Sequence, residues 1–339
     1  MPITSREVRL KERPEGAPEP RHFELAEVEV PDPGDGQLLV RNAFMSVDPY
    51  MRGRMRDVKS YVPPFQLGTV MDGGSVGQVV ASRHPGFAEG DFVVGMQGWR
   101  EHYLSDGAGQ RKIDPALGAP LSAYLGVLGM PGMTAYVGLL DIGQPKQGET
   151  VMVSAAAGAV GSLVGQIARI KGCRAVGSAG SAEKVEHLTR DLGFDAAFDY
   201  KTRDLHEALA ETCPDGIDVY FENVGGALLE AVLLHMRPFG RIPVCGMISQ
   251  YNATEAAPGP RTLINIIPRR LLLKGFIVSD HADRMGDFVR DVAGWLAAGR
   301  IRYDETVVDG IEHAADAFIG LLAGENTGKM LVRLHDPDA

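Results

Sequence analysis

Apolar and polar positions alternate in short runs through the first 125 residues. VRLKER, HFELAEVEV, QLLVRNAFMSV, SVGQVVASR and DFVVGM carry the pattern, and PDPGDG, DGG and HPGFAEGD separate the runs. A period of two places one side of a strand in a core, and short strands at this spacing predict an all-β barrel or sandwich. From about Tyr124 the pattern changes. GVLGMPGMTAYVGLLDIG has helical spacing, and beyond it β-type runs alternate with helical ones. VMVS precedes VGSLVGQIARIKG, RAVGSAG precedes AEKVEHLTRDLG, AAFDY precedes DLHEALAET, and IDVYFENV precedes GALLEAVLLHM. GRIPVCG and LLLKGFIVSD add two more strands. This alternation predicts an α/β fold with a doubly wound parallel sheet. After the helical DRMGDFVRDVAGWLAAG, the tail IRYDETVV…GKMLVRL turns β-like and is expected to return to the first domain. The polar, proline-containing stretch 253–260 reads as a mobile loop.

Composition narrows the class. A chain of 339 residues suggests about two domains. With 45% hydrophobic and 23% charged residues it reads as an ordinary globular protein. A formal charge of −10 argues against a general nucleic-acid binder. No apolar run approaches the ~18 residues of a membrane helix. The N-terminus is charged from Arg6 onward and lacks the apolar segment of a signal peptide. The expectation is therefore a cytoplasmic protein with neither membrane nor nucleic-acid partners. Cys173, Cys213 and Cys245 are too few for a disulfide framework and too widely spaced for a zinc motif.

The first chemistry lies in VMVSAAAGAVGSLVGQIARI. A dinucleotide turn needs a tight reversal from strand to helix, bare backbone facing the pyrophosphate, and a small residue at the helix–strand contact. Ala156, Gly158 and Gly161 occupy the three positions of G-x-G-x-x-G, with alanine at the first. Residues 151–154 form the expected strand and 160–170 the helix whose N-terminal N–H groups would face phosphates. An Ala/Gly-rich packing turn is the other reading, but the βα units downstream favour a dinucleotide. The next strand ends RAVGSAGSAEK, with no acid at Ala179, Gly180 or Ser181 to hold the ribose 2′-OH of NAD. Lys184 follows within reach of a 2′-phosphate, so NADP(H) is the expected cofactor. A solvated lysine on a helix face is the alternative reading of Lys184.

A β-rich domain ahead of a dinucleotide fold suggests the medium-chain dehydrogenase/reductase architecture. Catalytic zinc in that architecture needs Cys and His ligands from the N-terminal domain. No cysteine precedes Cys173, and MDGGSVGQVV keeps glycines without His or Glu where a GHE-type motif is expected. Neither a catalytic nor a structural zinc site can be assembled, and no metal is expected. Hydride transfer to an activated C=C bond fits such a chain, because hydrogen-bond donors suffice to take up the charge on an enone oxygen.

VDPYMRGRM, GMPGMTAYVGL, AAAGAVGSLVGQIA, FDYKT, YFENVGG, GRIPVCGMISQYN, GFIVSD and ENTGKM complete the picture. Together they resemble the zinc-independent prostaglandin reductase/leukotriene hydroxydehydrogenase family of alkenal/one oxidoreductases, which includes curcumin-reductase-like proteins. The resemblance runs from about residue 6 to 334. It implies a GroES-like substrate domain from 1–125 and 304–339, a Rossmann NADP-binding domain over 126–303, and a homodimer. The family's pyrophosphate turn falls on Gly158, Ala159, Val160 and Gly161, its 2′-phosphate lysine on Lys184, and its adenosine-side tyrosine on Tyr200. Asn223 closes the strand in YFENVGG, where Glu222 replaces the commoner Asp. The segment passing the nicotinamide ribose covers Cys245, Gly246, Met247, Ile248, Ser249 and Tyr251. Backbone at Phe276, Ile277 and Val278 is expected at the carboxamide, with Thr134 near the nicotinamide and Asn326 as a C-terminal contact. Tyr50, Met130 and Met247 are expected to line the substrate pocket, with Tyr251 as the catalytic donor.

Several of these residues have plainer readings. Asn223 could fix a turn, Tyr50 could pack, and Cys245 reads as a small buried residue rather than a reactive thiol. Asp48, before Pro49, reads as a turn anchor rather than a catalytic acid. Three functions remain open: NADPH-dependent reduction of α,β-unsaturated ketones or aldehydes, quinone reduction, and dinucleotide binding without turnover as a redox sensor. VDPYMR and MISQYN favour an enzyme, since a binder needs no tyrosines facing a substrate.

Overall fold

In the computed structural model, which describes residues 2–114, 118–256 and 258–336, the alternating N-terminal runs are strands. β1 (Ile3–Leu10) and β2 (Phe23–Val30) form an antiparallel pair. β1 starts at Ile3 rather than at Val8 as the pattern suggested, because its whole length pairs with β2 from Ile3–Val30 to Leu10–Phe23. β3 (Leu38–Ser46), β4 (Ser75–Ser82) and β5 (Phe92–Gly95) follow the expected runs. The short helix α1 (Tyr50–Arg54) lies between β3 and β4 in the chain. Two strands were not anticipated: β6 (His102–Ser105), antiparallel to β3, and β7 (Arg111–Lys112), antiparallel to β5.

The helical run after Tyr124 contains α2 (Met130–Val137), and the alternating region follows it. β8 (Thr150–Val153), α3 (Gly161–Ile170), β9 (Arg174–Ala179), α4 (Ala182–Arg190), β10 (Ala196–Asp199), α5 (Leu205–Thr212), β11 (Ile217–Phe221) and α6 (Gly226–His235) alternate as expected. Ser181 caps α4 by accepting from the Lys184 N–H at 3.3 Å. Asp204 caps α5 by accepting from the N–H groups of His206 and Glu207, each at 3.0 Å. β12 (Met236–Val244) is longer than GRIPVCG suggested, and the short helix α7 (Ile266–Arg269) precedes β13. β13 (Leu272–Gly275) stops before Phe276, where the chain leaves the sheet. The loop expected over 253–260 includes residue 257, which lies outside the described residues.

The six strands of this region are parallel, in the order β10-β9-β8-β11-β12-β13. This is the doubly wound order, which reverses direction between β8 and β11. Both strands are buried along their full length, and so they read as apolar runs rather than alternations. Each Val or Ile sealed there contributes roughly 1.5–3 kcal/mol. The helix α8 (Met285–Ala297) closes the region. Beyond it lie β14 (Glu305–Asp309), α9 (Ala314–Ala323) and β15 (Lys329–Arg333). The tail strands join the N-terminal sheet, completing seven strands with β15 antiparallel to β3. α9 was not anticipated between them; it ends on Gly324 in the left-handed conformation. Phe318 of α9 meets Phe23 and Trp99 edge-on at 6.3 and 6.1 Å, so the tail completes the core of the first unit.

Two compact units result: 1–125 with 305–326 and 330–339, and 126–304 with 327–329. Residues 304 and 327–329 differ from the expected boundary. The Lys329 N–H donates to Asp304 O at 2.8 Å and the Gly328 N–H donates to Ala157 O at 2.8 Å, which holds this short segment in the second unit. No helix among the described residues is long and apolar enough to cross a membrane.

A histidine clamp steadies the same corner. His187 of α4 bonds Asp191 through Nδ1 and Asp304 through Nε2, each at 2.8 Å. Burial pulls its pKa down, but the bonds to both carboxylates outweigh that and raise it above the ordinary value. A raised folded-state pKa means that the stabilisation is fully present below the unfolded value near 6.5 and fades as pH rises through the folded value. Wild type is therefore expected to melt about 1–4 °C above His187→Gln near pH 6, with the gap closing at alkaline pH. A gap that widens with pH would reverse the assignment.

Candidate functional site

In open α/β sheets, ligands gather at the carboxyl ends of strands where the order reverses. Here that point lies beyond β8 and β11. Past Val153 the chain turns sharply through Ala155, whose φ of 49° is left-handed. The Ala156 N–H donates to Ser178 O at 2.9 Å, and the Gly158 N–H donates to Ala155 O at 3.0 Å. The two glycines serve different ends. A β-carbon on Gly161 would lie 2.4 Å from Ala155 O and 2.8 Å from Ala156 Cα, so only glycine lets α3 start against the turn. A β-carbon on Gly158 would meet only Ala155 O, at 3.3 Å, and otherwise face open space. Gly158, Ala159 and Val160 are half-buried, presenting accessible backbone at the helix start.

The ends of β11 and β12 are knitted to this turn. The Asn223 N–H donates to Ser154 Oγ at 2.8 Å, and its Nδ2 donates to Ser154 O at 2.7 Å. The N–H groups of Cys245 and Gly246 both reach Glu222 O, at 2.9 and 3.1 Å. Ile248 donates to Asn223 O at 3.1 Å, and Ser249 donates to Val224 O through both N–H and hydroxyl. Met247 packs against Gly225, where a β-carbon would stand 3.0 Å from its own. The Tyr251 hydroxyl lies over bare backbone: a β-carbon on Gly246 would be 2.9 Å from it and 3.6 Å from Asn223 O. Burial pushes the Cys245 thiol up to about 12, so it is no nucleophile at neutral pH.

A second cluster forms at the end of β9. The Tyr200 N–H donates to Ala179 O at 3.1 Å. A β-carbon on Gly180 would lie 3.3 Å from both the Tyr200 ring and the Lys201 ammonium. The Lys184 ammonium is pushed below its ordinary value by burial and then by Lys201, against the pull of Glu183. Two like charges thus lie near the end of β9, where Ala179, Gly180 and Ser181 carry no acid and Asp199 of β10 pairs with Ala179. The sequence reading missed Lys201, although it directly follows Tyr200 in FDYKT. It also missed Gly328, which bridges to Gly158 in the parallel sense. Gly328 has a φ of 66°, and a β-carbon there would collide with Asp304 O at 1.9 Å.

The other expected residues are more scattered. Thr134 is buried and donates its hydroxyl to Met130 O at 2.8 Å, while Met130 is exposed. The Phe276 ring packs edge-on against Phe221 and His281, each at 6.3 Å, and Ile277 and Val278 follow it out of the sheet. Tyr50 and Asn326 belong to the first unit. Burial, then Asp48, raises the Tyr50 hydroxyl far above its ordinary value, so it stays protonated. The Asp48 backbone carbonyl accepts from the Met51 N–H at 3.1 Å, and its carboxylate accepts from the Ser46 hydroxyl.

Residues 6–113 match the family described as "N-terminal domain of oxidoreductase", and 159–293 match the one described as "Zinc-binding dehydrogenase". The putative NADP-dependent oxidoreductase YfmJ of Bacillus subtilis is 50% identical, covering 99% of this chain and 100% of its own. The NADPH-dependent curcumin reductase of Escherichia coli is also 50% identical, over 97% of this chain and 96% of its own. The chain belongs to the zinc-independent medium-chain dehydrogenase/reductase family of curcumin, prostaglandin and 2-alkenal reductases. Among solved structures, CurA of Vibrio vulnificus in complex with NADPH superposes with a TM-score of 0.93 at 47% identity, covering 98% of this chain and 100% of that one. As a member of this reductase family the chain has the medium-chain architecture, a β-rich domain followed by a Rossmann domain. Among its described residues no group of three or more His, Cys, Asp or Glu is placed to hold a metal.

Proposed function

We propose that the protein reduces the C=C bond of small α,β-unsaturated ketones or aldehydes with NADPH. The observation that carries this reading is the Tyr251 hydroxyl held over bare Gly246 beside Asn223, in a chain half identical to an NADPH-dependent curcumin reductase. The residues fit the cofactor. Open backbone at Gly158, Ala159 and Val160 receives the pyrophosphate, Gly161 lets α3 approach, and Lys184 with Tyr200 and Lys201 receives the 2′-phosphate end. Asn223, Cys245, Gly246, Met247, Ile248 and Ser249 form the wall along the nicotinamide ribose, with Thr134, Phe276, Ile277 and Val278 as further contacts. NADPH, when bound, supplies the hydride. Tyr251 donates a hydrogen bond to the carbonyl oxygen as that oxygen gains charge, and Met130 and Met247 of the same unit shape the substrate pocket.

Following NADPH absorbance with an enone, with a quinone and with no acceptor tests the reading. Consumption with the enone is expected. Consumption with the quinone alone would make the protein a quinone reductase, and none with either would make it a dinucleotide binder.

Lys184→Ala is expected to weaken NADPH by ~1.5–3 kcal/mol, on the order of 10–100-fold, through loss of a charge-assisted hydrogen bond. NADH should be almost unaffected, since it lacks the 2′-phosphate. Equal weakening of both cofactors would remove Lys184 from that role.

The chain is also proposed to form a homodimer. β13 is the last strand of its sheet, with no strand on its outer side among the described residues, and exposed Leu263, Ile264, Ile267 and Leu272 cluster in and just before it in the chain. Light scattering should give a mass near twice 36.4 kDa. A mass of one chain would count against it.

A further inference from the structure

Glu222 stands at the carboxyl end of β11, at the reversal point of the sheet, with none of its surface exposed. One of its carboxyl oxygens is crowded and the other is bare. Oε1 accepts from the Ser154 hydroxyl at 3.1 Å, the Tyr220 hydroxyl at 3.1 Å, the Val224 N–H at 2.6 Å and the Gly225 N–H at 2.9 Å. Oε2 is buried with no hydrogen-bond partner among the described residues. The residue's backbone carbonyl meanwhile holds the N–H groups of Cys245 and Gly246. A single residue thus fastens the end of β8, the turn into α6 and the segment beyond β12.

A carboxylate used this way would leave charge on an oxygen that nothing answers in a dry interior, where unpaired charge is far costlier than a neutral group. All four donors converge on the other oxygen, which a neutral acid still offers as an acceptor, so burial of the charge and not these bonds favours the uncharged form. We propose that Glu222 is a positioning residue acting as an uncharged acid, holding Ser154, and through it Asn223, in register with the backbone of residues 245 and 246. Burial raises its pKa in the same sense, against the bonds from Gly225, Val224, Tyr220 and Ser154. The inference rests on the reading above that Asn223 and the 245–246 segment contact NADPH.

NADPH affinity by fluorescence titration, the melting temperature of the free protein, and the split between KM and kcat are measured for Glu222→Gln, Glu222→Asp and Asn223→Ala. Glu222→Gln keeps an uncharged acceptor oxygen at the same reach and is expected to bind NADPH within about threefold of wild type. Glu222→Asp is one methylene short of its four donors and is expected to weaken NADPH by roughly 10-fold or more, raising KM for NADPH more than it lowers kcat. Loss of affinity in a folded Glu222→Gln would overturn the uncharged role. Wild-type affinity in Glu222→Asp would overturn the positioning role. If Glu222→Asp does not fold, Glu222→Gln alone decides. Unchanged affinity in Asn223→Ala would instead remove the cofactor assignment beneath the inference, and the inference with it.

Discussion

Gly158→Val should abolish measurable NADPH binding in a protein that still folds. The two halves of this expectation have separate causes. Gly158 has no left-handed φ, so valine can adopt its backbone, and its β-carbon meets only Ala155 O at 3.3 Å. That contact needs a shift of a few tenths of an ångström, a modest cost beside those of core substitutions. The branched methyl groups then occupy the open side of the turn, where the pyrophosphate must reach the N–H groups at the start of α3. Losing two or more charge-assisted hydrogen bonds corresponds to at least about 100-fold in affinity. Gly161→Val is the contrasting case. Its β-carbon would strike backbone at 2.4 and 2.8 Å, so the fold should suffer along with the site. Titration of NADPH fluorescence, with circular dichroism melts beside it, separates the two. A folded Gly158→Val that keeps its affinity would place the cofactor elsewhere.

The second unit was legible because each βα step carries its own local signals. Ser181 and Asp204 cap helices whose starts the pattern located to within one residue, and β8 and β11 are buried along their whole length. β6 and β7 escaped because four-residue and two-residue strands exist only through pairing with β3 and β5, which no local pattern encodes. α9 was hidden between two β-like runs, although Gly324 marks its end. The placement of residues 304 and 327–329 depends on contacts of Gly328 with Asp304 and Ala157, far apart in sequence. The same division runs through the candidate site. Gly158, Gly161 and Lys184 follow from spacing alone. Thr134, Phe276 and Asn326 came only from the family resemblance, while Lys201 and the convergence on Glu222 needed the fold.

Tyr251→Phe should lower kcat with an enone by roughly 10–10³-fold, at or below the usual cost of losing an oxyanion donor, because water can take the vacated place. The phenol does not sit on a free loop. Between Val244 and Tyr251 the chain is tied down by Ile248 to Asn223 O, by Ser249 to Val224 O, and by the Gln250 N–H to Met247 O at 2.9 Å. That anchoring fixes the hydroxyl over Gly246 ahead of any substrate, so little reorganisation is needed as charge develops. A donor so placed gains strength as the carbonyl oxygen becomes negative, and the benefit therefore belongs to the transition state and to kcat. Phenylalanine removes the hydroxyl and keeps the ring, so NADPH affinity should barely move. Gly246→Ala offers an independent handle, since its β-carbon would lie 2.9 Å from the hydroxyl and push it aside without removing it. Both variants should lose kcat if the hydroxyl acts on the substrate. If kcat is unchanged in Tyr251→Phe where hydride transfer limits turnover, Tyr251 is an aromatic wall and solvent is the donor.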